Sequence, residues 1–428
     1  MLSMFMKNSM VLALFMLSIF LNPVIGKEFT TISVDAKEQK ELLLSEIAQE
    51  IKVVNVESDD IRNNGVLQVF NWDKNVMLVL SKNDVNLYLY NAKKKESNYL
   101  CQSYIESIDY QSCHQFHAVN FKGNKVLVSM GSNRFAEYTK RGKLKNITEV
   151  SQLYDNGKTR TYFHYPISHN RFVAVNRKIT DEKIFHIGGG ELFDYLNEHT
   201  LVTTNKQGEL VRHILPTTTD DFSFPTHSTT SIVNNKVYLH YNQTDTIYCV
   251  NANNGEISIG YAFDFGENSF PDMYRLSEFD RSKMIGPNNA YTYSGAPNNV
   301  YVGKENILFQ FSQRGYVNTG VYNIESGQIK NGILTNDLFE GRDIKLVGSD
   351  DHYFIFVAEV PPKKKYSESL YNMLREQGFD IKVEGMQKDD RQEFAVSDKA
   401  AGYMSESDFA TLSNAQDKDV ILLFVKVK

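Results

Sequence analysis

The pattern that recurs along this chain is a polar or charged pair followed by a short run of β-branched, aliphatic and aromatic residues. Six copies occur: KNVMLVL from Lys74, NKVLVSM from Asn124, NRFVAVN from Asn170, NKVYLHY from Asn235, ENILFQF from Glu305 and DHYFIFV from Asp351. Asn, Asp and Gly favour turns, and β-branched and aromatic side chains fit a pleated, half-buried surface. Each copy therefore predicts a turn and then a strand, near Val76, Val126, Phe172, Val237, Ile307 and Tyr353, at a spacing of roughly 45 to 70 residues.

A second element follows each copy, a strand, a tight polar turn that often holds Gly, and another strand. FAEYTKRGKLKNI, LVTTNKQGELVRHI, IYCVNANNGEISIGY and GVYNIESGQIKNGI are examples, with LYLYNAKKKESNYL the least regular. A further strand precedes several copies, as in VLQVF, FHAVNF, HSTTSIV and DIKLVG, so the unit is a four-stranded antiparallel meander. Six such units predict an all-β, six-bladed β-propeller. Periodic turns also fit a long β-sandwich or a tandem of smaller β domains. The chain ends favour the ring. After DHYFIFV the last unit has one clear strand left, VILLFVKVK, and the unassigned strand IKVVNVES at residues 51–58 can fill its fourth place. That pairing would close the ring and hide two sheet edges.

The signal-like N-terminus, the IKVVNVES strand, the unit NNKVYLHYNQTDTIYCVNANNGEISIGYAFDFG and the terminal VILLFVKVK together resemble the exported six-bladed β-propeller proteins of bacteria, which are related in shape to NHL-repeat propellers. The resemblance spans nearly the whole mature chain, and TDTIYCVN followed by YAFDFG is its most telling piece. It implies the fold and an exported location; it carries no catalytic residue.

The order of strands sorts the loops. In a propeller the first-to-second and third-to-fourth turns share one face, and here they are short: WDKN, FKGN, VNNK, GKEN, SDDH, KRGK, KQGE and NNGE. The long segments, around residues 101–113, 148–168, 177–198, 215–227, 266–297 and 360–418, fall to the other face. Long loops on a rigid scaffold commonly carry the binding residues. Residues leading into the innermost strands from that side predict a ring at the channel mouth: His114, His117, His164, His227, Tyr293 and Arg342. Converging neutral imidazoles suit a divalent transition metal. With ten histidines in the chain, some reach one face by chance, so no metal or other cofactor is assigned.

Composition narrows the partners. A net charge of -6 with no long basic run gives no footprint for nucleic acid. Residues 1–26 carry Lys7, an apolar stretch from Met10 to Leu21 and small or β-branched residues before Lys27, which predicts a cleaved signal peptide and a periplasmic or extracellular product. The apolar stretch is short for a membrane span, and no cysteine for a lipid anchor lies at the cleavage point. The domain expected is then a single propeller over 27–428, with a partly helical insertion at about 360–418. Cys101, Cys113 and Cys249 lack paired C-x-x-C spacing. Export makes a Cys101–Cys113 bridge possible, with two unpaired thiols as the alternative; Cys249, in the run IYCV, reads as a buried small hydrophobe.

Other chemistry is faint. HIGGGELF at His186 lacks the spacing and lysine of a phosphate loop, and its glycines suit a tight turn. PPKKKYSESLYNMLREQGF from Pro361 predicts a solvated turn and a short helix, with Leu370, Met373 and Leu374 on one side. Asp220, Asp221, Asp280 and Arg281 stand in loops where carboxylates are usually solvated, and no G-x-S-x-G or H-E-x-x-H occurs. The expectation is an exported binding or scaffold propeller that presents its channel mouth to a glycan, peptide or protein. Loops such as MYRLSEFDRSK and NAYTYSGAPNN carry the Tyr and Arg typical of recognition sites. The alternative is an enzyme acting on saccharides or lactone-like esters, metal-assisted if the histidines converge.

Overall fold

The computed structural model describes residues 29–36, 40–73, 75–83, 86–102, 119–122, 125–130, 134–149, 159–168, 171–187, 190–204, 210–217, 228–241, 245–268, 297–313, 316–340, 342–359, 395–416 and 419–428. The N-terminal part holds β1 (Thr30–Ser33), β2 (Glu41–Leu43), the single turn α1 (Leu44–Ile47), β3 (Ala48–Val56) and α2 (Asp59–Asn64). Then come three four-stranded antiparallel sheets. They are β4 (Val66–Asp73), β5 (Val76–Ser81), β6 (Asn86–Asn91) and β7 (Glu96–Gln102); β8 (Val119–Lys122), β9 (Lys125–Met130), β10 (Arg134–Thr139) and β11 (Leu144–Glu149); and β12 (Thr159–Ser168), β13 (Arg171–Ile187), β14 (Gly190–Thr204) and β15 (Leu210–Thr217).

The next two meanders are β16 (Ser228–Val233), β17 (Lys236–Tyr241), β18 (Thr246–Asn251) and β19 (Ile257–Asp264), then β20 (Asn298–Val302), β21 (Asn306–Gln313), β22 (Tyr316–Asn323) and β23 (Ile329–Thr335). Beyond β24 (Phe339–Glu340), the last large sheet holds β25 (Asp343–Ser349) and β26 (Phe354–Glu359). After β27 (Ala395–Val396) and α3 (Glu406–Ser413), it is completed by β28 (Val420–Val427), with β3 as its outer strand. β24 and β27 form a small ribbon of their own.

Neighbouring sheets touch in sequence, β4 with β8, β9 with β12, β15 with β19, β16 with β20, β20 with β25, and β25 back to β4. This is an all-β propeller whose blades are antiparallel. All six polar-pair copies precede or begin second strands, β5, β9, β13, β17, β21 and β26. Inner strands are packed from both sides, which explains their continuous apolar runs. Leu87–Tyr90, Ile247–Val250, Phe354–Ala358 and Ile421–Val425 are buried throughout.

The expected closure is present. β3 pairs antiparallel with β28 from Val56↔Val420 to Ala48↔Val427. Val347, Ile355, Val357, Leu422 and Phe424 of that sheet share a core with Val66, Val69, Met77 and Val79 of the first. Each such side chain contributes about 1.5–3 kcal/mol on burial. Gly348 is required where the two sheets meet, since a Cβ there would lie 2.1 Å from the Val69 carbonyl oxygen.

Two features depart from the sequence reading. The chain before β3 is also structural: β1 adds in parallel to β19 and β2 in parallel to β23, making those sheets five-stranded. TTIS and ELL are too short to signal strands by periodicity. Their edges are filled by backbone pairing, while Ile32, Val34, Ala36, Leu42, Leu44 and Ile47 enter the cores beneath. Secondly, residues 159–168, 177–187 and 190–198, which fall in segments expected as loop, are paired strand. β13 and β14 form one long hairpin from Phe172↔Thr204 to Ile187↔Gly190. It runs past β12, whose first residue Thr159 pairs with Lys178. The charges Asp181, Glu182 and Lys183 break the apolar alternation by which strands are read, although backbone pairing does not depend on it.

Candidate ligand-binding face

On one face β16 passes to β17 through Asn234 and Asn235 alone, at φ 50° and 60°, with Val233 opposite Lys236. Asparagine tolerates this left-handed conformation, and consecutive residues in it match the twist of a hairpin. The third-to-fourth turns use Gly142, Gly255 and Gly327, at φ 79°, 73° and 68°, for the same reason.

Towards the opposite face β13 and β14 run paired out to Ile187 and Gly190, and β26 ends at Glu359. Within HIGGGELF, His186 pairs with Glu191 and Ile187 with Gly190, and residues 188–189 lie outside the described residues. In the last connection the described part starts at β27, which pairs Val396 with Phe339. α3 begins on Ser405, whose Oγ accepts from Asp408 N–H at 3.1 Å. The Asp408 carboxylate also accepts from Val53 N–H at 2.9 Å, and Tyr403 O accepts from Ile51 N–H at 2.8 Å. The insertion thus covers the outer edge of β3. Its far side is tied down by Asp337, which accepts from Ser45 N–H and Oγ at 3.0 and 2.6 Å and pairs with Lys399. Burial pushes the Asp337 carboxyl up, but Lys399 and Ser45 outweigh it and hold it below its ordinary value.

Arg342 stands directly before β25 and is only 4% exposed. Its guanidinium donates to the carbonyls of Ala358 at 3.3 Å, Asp419 at 2.6 Å and Gln416. It clamps the strands of the closing sheet and presents no open surface to a ligand. Beside it the Asp419 carboxylate meets Arg62 at 3.0 Å, Asn55 Nδ2 at 3.1 Å and Gln416 N–H at 2.9 Å. This buried network ties α2, β3 and β28 together beneath the face. Sequence reasoning missed Arg62, Asn55 and Asp419, because isolated polar residues carry no signal until the chain ends meet.

The other candidates are less fully placed. His164 lies within β12, five residues after its start, opposite Ala174. His114, His117, His227, Tyr293, Asp220, Asp221, Asp280, Arg281 and the segment 361–379 lie outside the described residues, as do Cys113 and residues 1–26. No group of three His, Cys, Asp or Glu suited to a metal occurs among the described residues. No described helix is long and apolar enough to cross a membrane.

Cys101 is a buried free thiol, and Cys113, its possible partner, lies outside the described residues. Burial raises the Cys101 pKa to about 11, partly offset by a hydrogen bond from Tyr138. Its position on β7 places it in the core between the first two blades, with Leu100, Ala136 and Tyr138. Cys249, as expected, is buried, in β18.

No protein-family model matches the chain, and no curated protein matches it. Among solved structures, a protein of Bacteroides fragilis NCTC 9343 inferred to be exported superposes with a TM-score of 0.59 at 15% identity, covering 93% of this chain and 100% of its own. A streptogramin B lyase, at 12% identity, covers 72% of this chain and 80% of its own with a TM-score of 0.35. The calcium-binding protein regucalcin of Agrobacterium tumefaciens, at 8% identity, covers 94% and 97% with 0.39. At these identities the first likeness speaks for the fold, and the other two carry no argument about function.

Proposed function

We propose that this chain is an exported six-bladed β-propeller that binds a glycan, peptide or protein at its loop-bearing face. One feature carries the reading: the connections are short on one face and elaborated on the other, as in the two-residue Asn234–Asn235 turn against the β13–β14 arm and the insertion holding α3. Six blades are supported by the cyclic contacts of the sheets containing β4, β8, β12, β16, β20 and β25. Export is supported by the signal-like residues 1–26 and by the description of the Bacteroides fragilis neighbour. The propeller is then one domain over 27–428, released to the periplasm or exterior.

His114, His117, His164, His227 and Tyr293 are proposed to contact the ligand, with Arg342 as the buried clamp that fixes the floor of the face. No specific observation favours the enzymatic alternative.

The test begins with ligand identification by glycan array or proximity labelling on the secreted protein. Tyr293→Ala should then weaken binding by about 1–3 kcal/mol with folding intact. Lys125→Ala and Lys236→Ala, on the short-turn face, should leave binding unchanged. Loss of binding in the lysine variants with retention in Tyr293→Ala would reverse the two faces.

A further inference from the structure

The outer strands differ in what covers them. β19 and β23 each receive a fifth, parallel strand, and the edge of β3 is covered by Tyr403 and Asp408. Among the described residues, β11 has no fifth strand.

β23 and β11 can be compared position by position. Tyr322 pairs with Ile329 and Gly320 with Asn331; Tyr138 pairs with Leu144 and Ala136 with Ile147. On β23 the N-terminal chain comes into contact: Asn331 Nδ2 donates to Asp35 O at 2.9 Å, and Gly332 lies against Lys40. On β11 the equivalent residues are apolar and exposed, Leu144 at 46% and Ile147 at 54%. Both share a sheet side with Ala136 and Tyr138, which pack on Leu100 and Cys101 of β7. They therefore prolong an interior interface out into solvent.

The surroundings are basic. Lys93, Lys94 and Lys95 form the β6–β7 turn, and Lys140, Arg141 and Lys143 the β10–β11 turn, with Lys145 following on β11. The β10–β11 turn lies against β7, since a Cβ on Gly142 would lie 3.1 Å from the Asn98 Cβ. Glu57 engages Lys95 at 2.6 Å. Lys93, Lys94, Arg141, Lys143 and Lys145 are exposed, on a chain whose net charge is -6.

We propose that β11 is a docking edge for an extended, acidic polypeptide segment that adds as a fifth strand. Its apolar side chains cover Leu144 and Ile147, and its carboxylates meet Arg141, Lys143 and Lys145. Backbone pairing supplies affinity and charge complementarity supplies selection. The lysines oppose pairing with a second copy of the same edge. An anionic lipid surface matches the charge but leaves the backbone groups of the edge unused.

The mature chain is titrated with a labelled synthetic peptide of alternating valine and glutamate, followed by anisotropy and amide hydrogen exchange. Binding should fall with added salt, slow exchange at residues 144–147 and leave β19 and β23 unchanged. The double variant Lys143→Glu, Lys145→Glu should weaken it by about tenfold or more, and Leu144→Ser with Ile147→Ser should also weaken it while the melting temperature holds. Protection of residues 144–147 before peptide is added would show that the chain itself covers the edge, and would overturn the proposal. So would equal binding of a valine–lysine peptide, or binding of phosphatidylglycerol vesicles with no binding of the peptide. The edge lies on the outer rim, so failure here leaves the loop-face reading standing.

Discussion

The half of the ring running from β16 to β28 and the half running from β4 to β15 use the same four-strand meander, yet their rims are built differently. In the first, β1, β2 and β3 lie in turn on three successive sheets. Its cores include Ile32, Val34 and Ala36, then Leu42, Leu44 and Ile47. In the second, the core between β7 and β10 is made, among the described residues, from the two blades alone, and Leu144 and Ile147 remain outside it. Closure of this ring is therefore more than one borrowed strand. The N-terminal chain acts as a strap that completes two further sheets before it reaches the last.

The largest effect should come from removing the strap. Deletion through Ser58 takes β1, β2 and β3, exposing the edge of β28 along its length. Loss of cooperative thermal unfolding, or a fall in melting temperature of more than about 10 °C, is expected by calorimetry. A deletion ending before Lys40 removes β1 alone and should give an intermediate value. An unchanged melting temperature in the longer deletion would remove the strap from the account of closure.

Next is the contrast between the halves. Leu42→Ala, in the strap and 3% exposed, should cost about 2–4 kcal/mol in a denaturant titration. Leu144→Ala should stay within about 0.5 kcal/mol. Equal costs would mean that the two rims are packed alike. Arg342→Met leaves the Ala358, Asp419 and Gln416 carbonyls without their donor and should cost about 2–3 kcal/mol, with no direct part in ligand contact.

The smallest effect concerns Asp337, whose folded pKa is lowered. Its contribution is present above the ordinary carboxylate range and is lost as pH falls through the lowered folded value. The melting-temperature difference between the native chain and Asp337→Asn should therefore shrink on acidification. A difference that does not change with pH would assign the effect of Asp337 to packing, with no part for its charge.

Much of this arrangement was readable before folding. Polar pairs such as Asn234–Asn235 mark hairpins because few residues accept positive φ, and runs such as IYCV mark strands enclosed on both faces. The β13–β14 arm was hidden, since its pairing is made by backbone groups while its side chains include Asp181, Glu182 and Lys183. Arg342 was singled out as a candidate for ligand contact, whereas its burial against three carbonyls depends on Gln416 and Asp419, 74 and 77 residues away.

By itself, then, the sequence determined the repeating unit, the distinction between short and long connections, and the pairing partner of the final strand. These are set by local turn chemistry and by apolar patterning, which act within a few residues. Only the tertiary structure decided that TTIS and ELL are strands, that Asp419 is the centre of a buried network, and that Leu144 and Ile147 differ from Ile329 and Asn331. Each of these depends on which distant segment lies alongside, and edge pairing through backbone groups leaves no mark on the residues that make it.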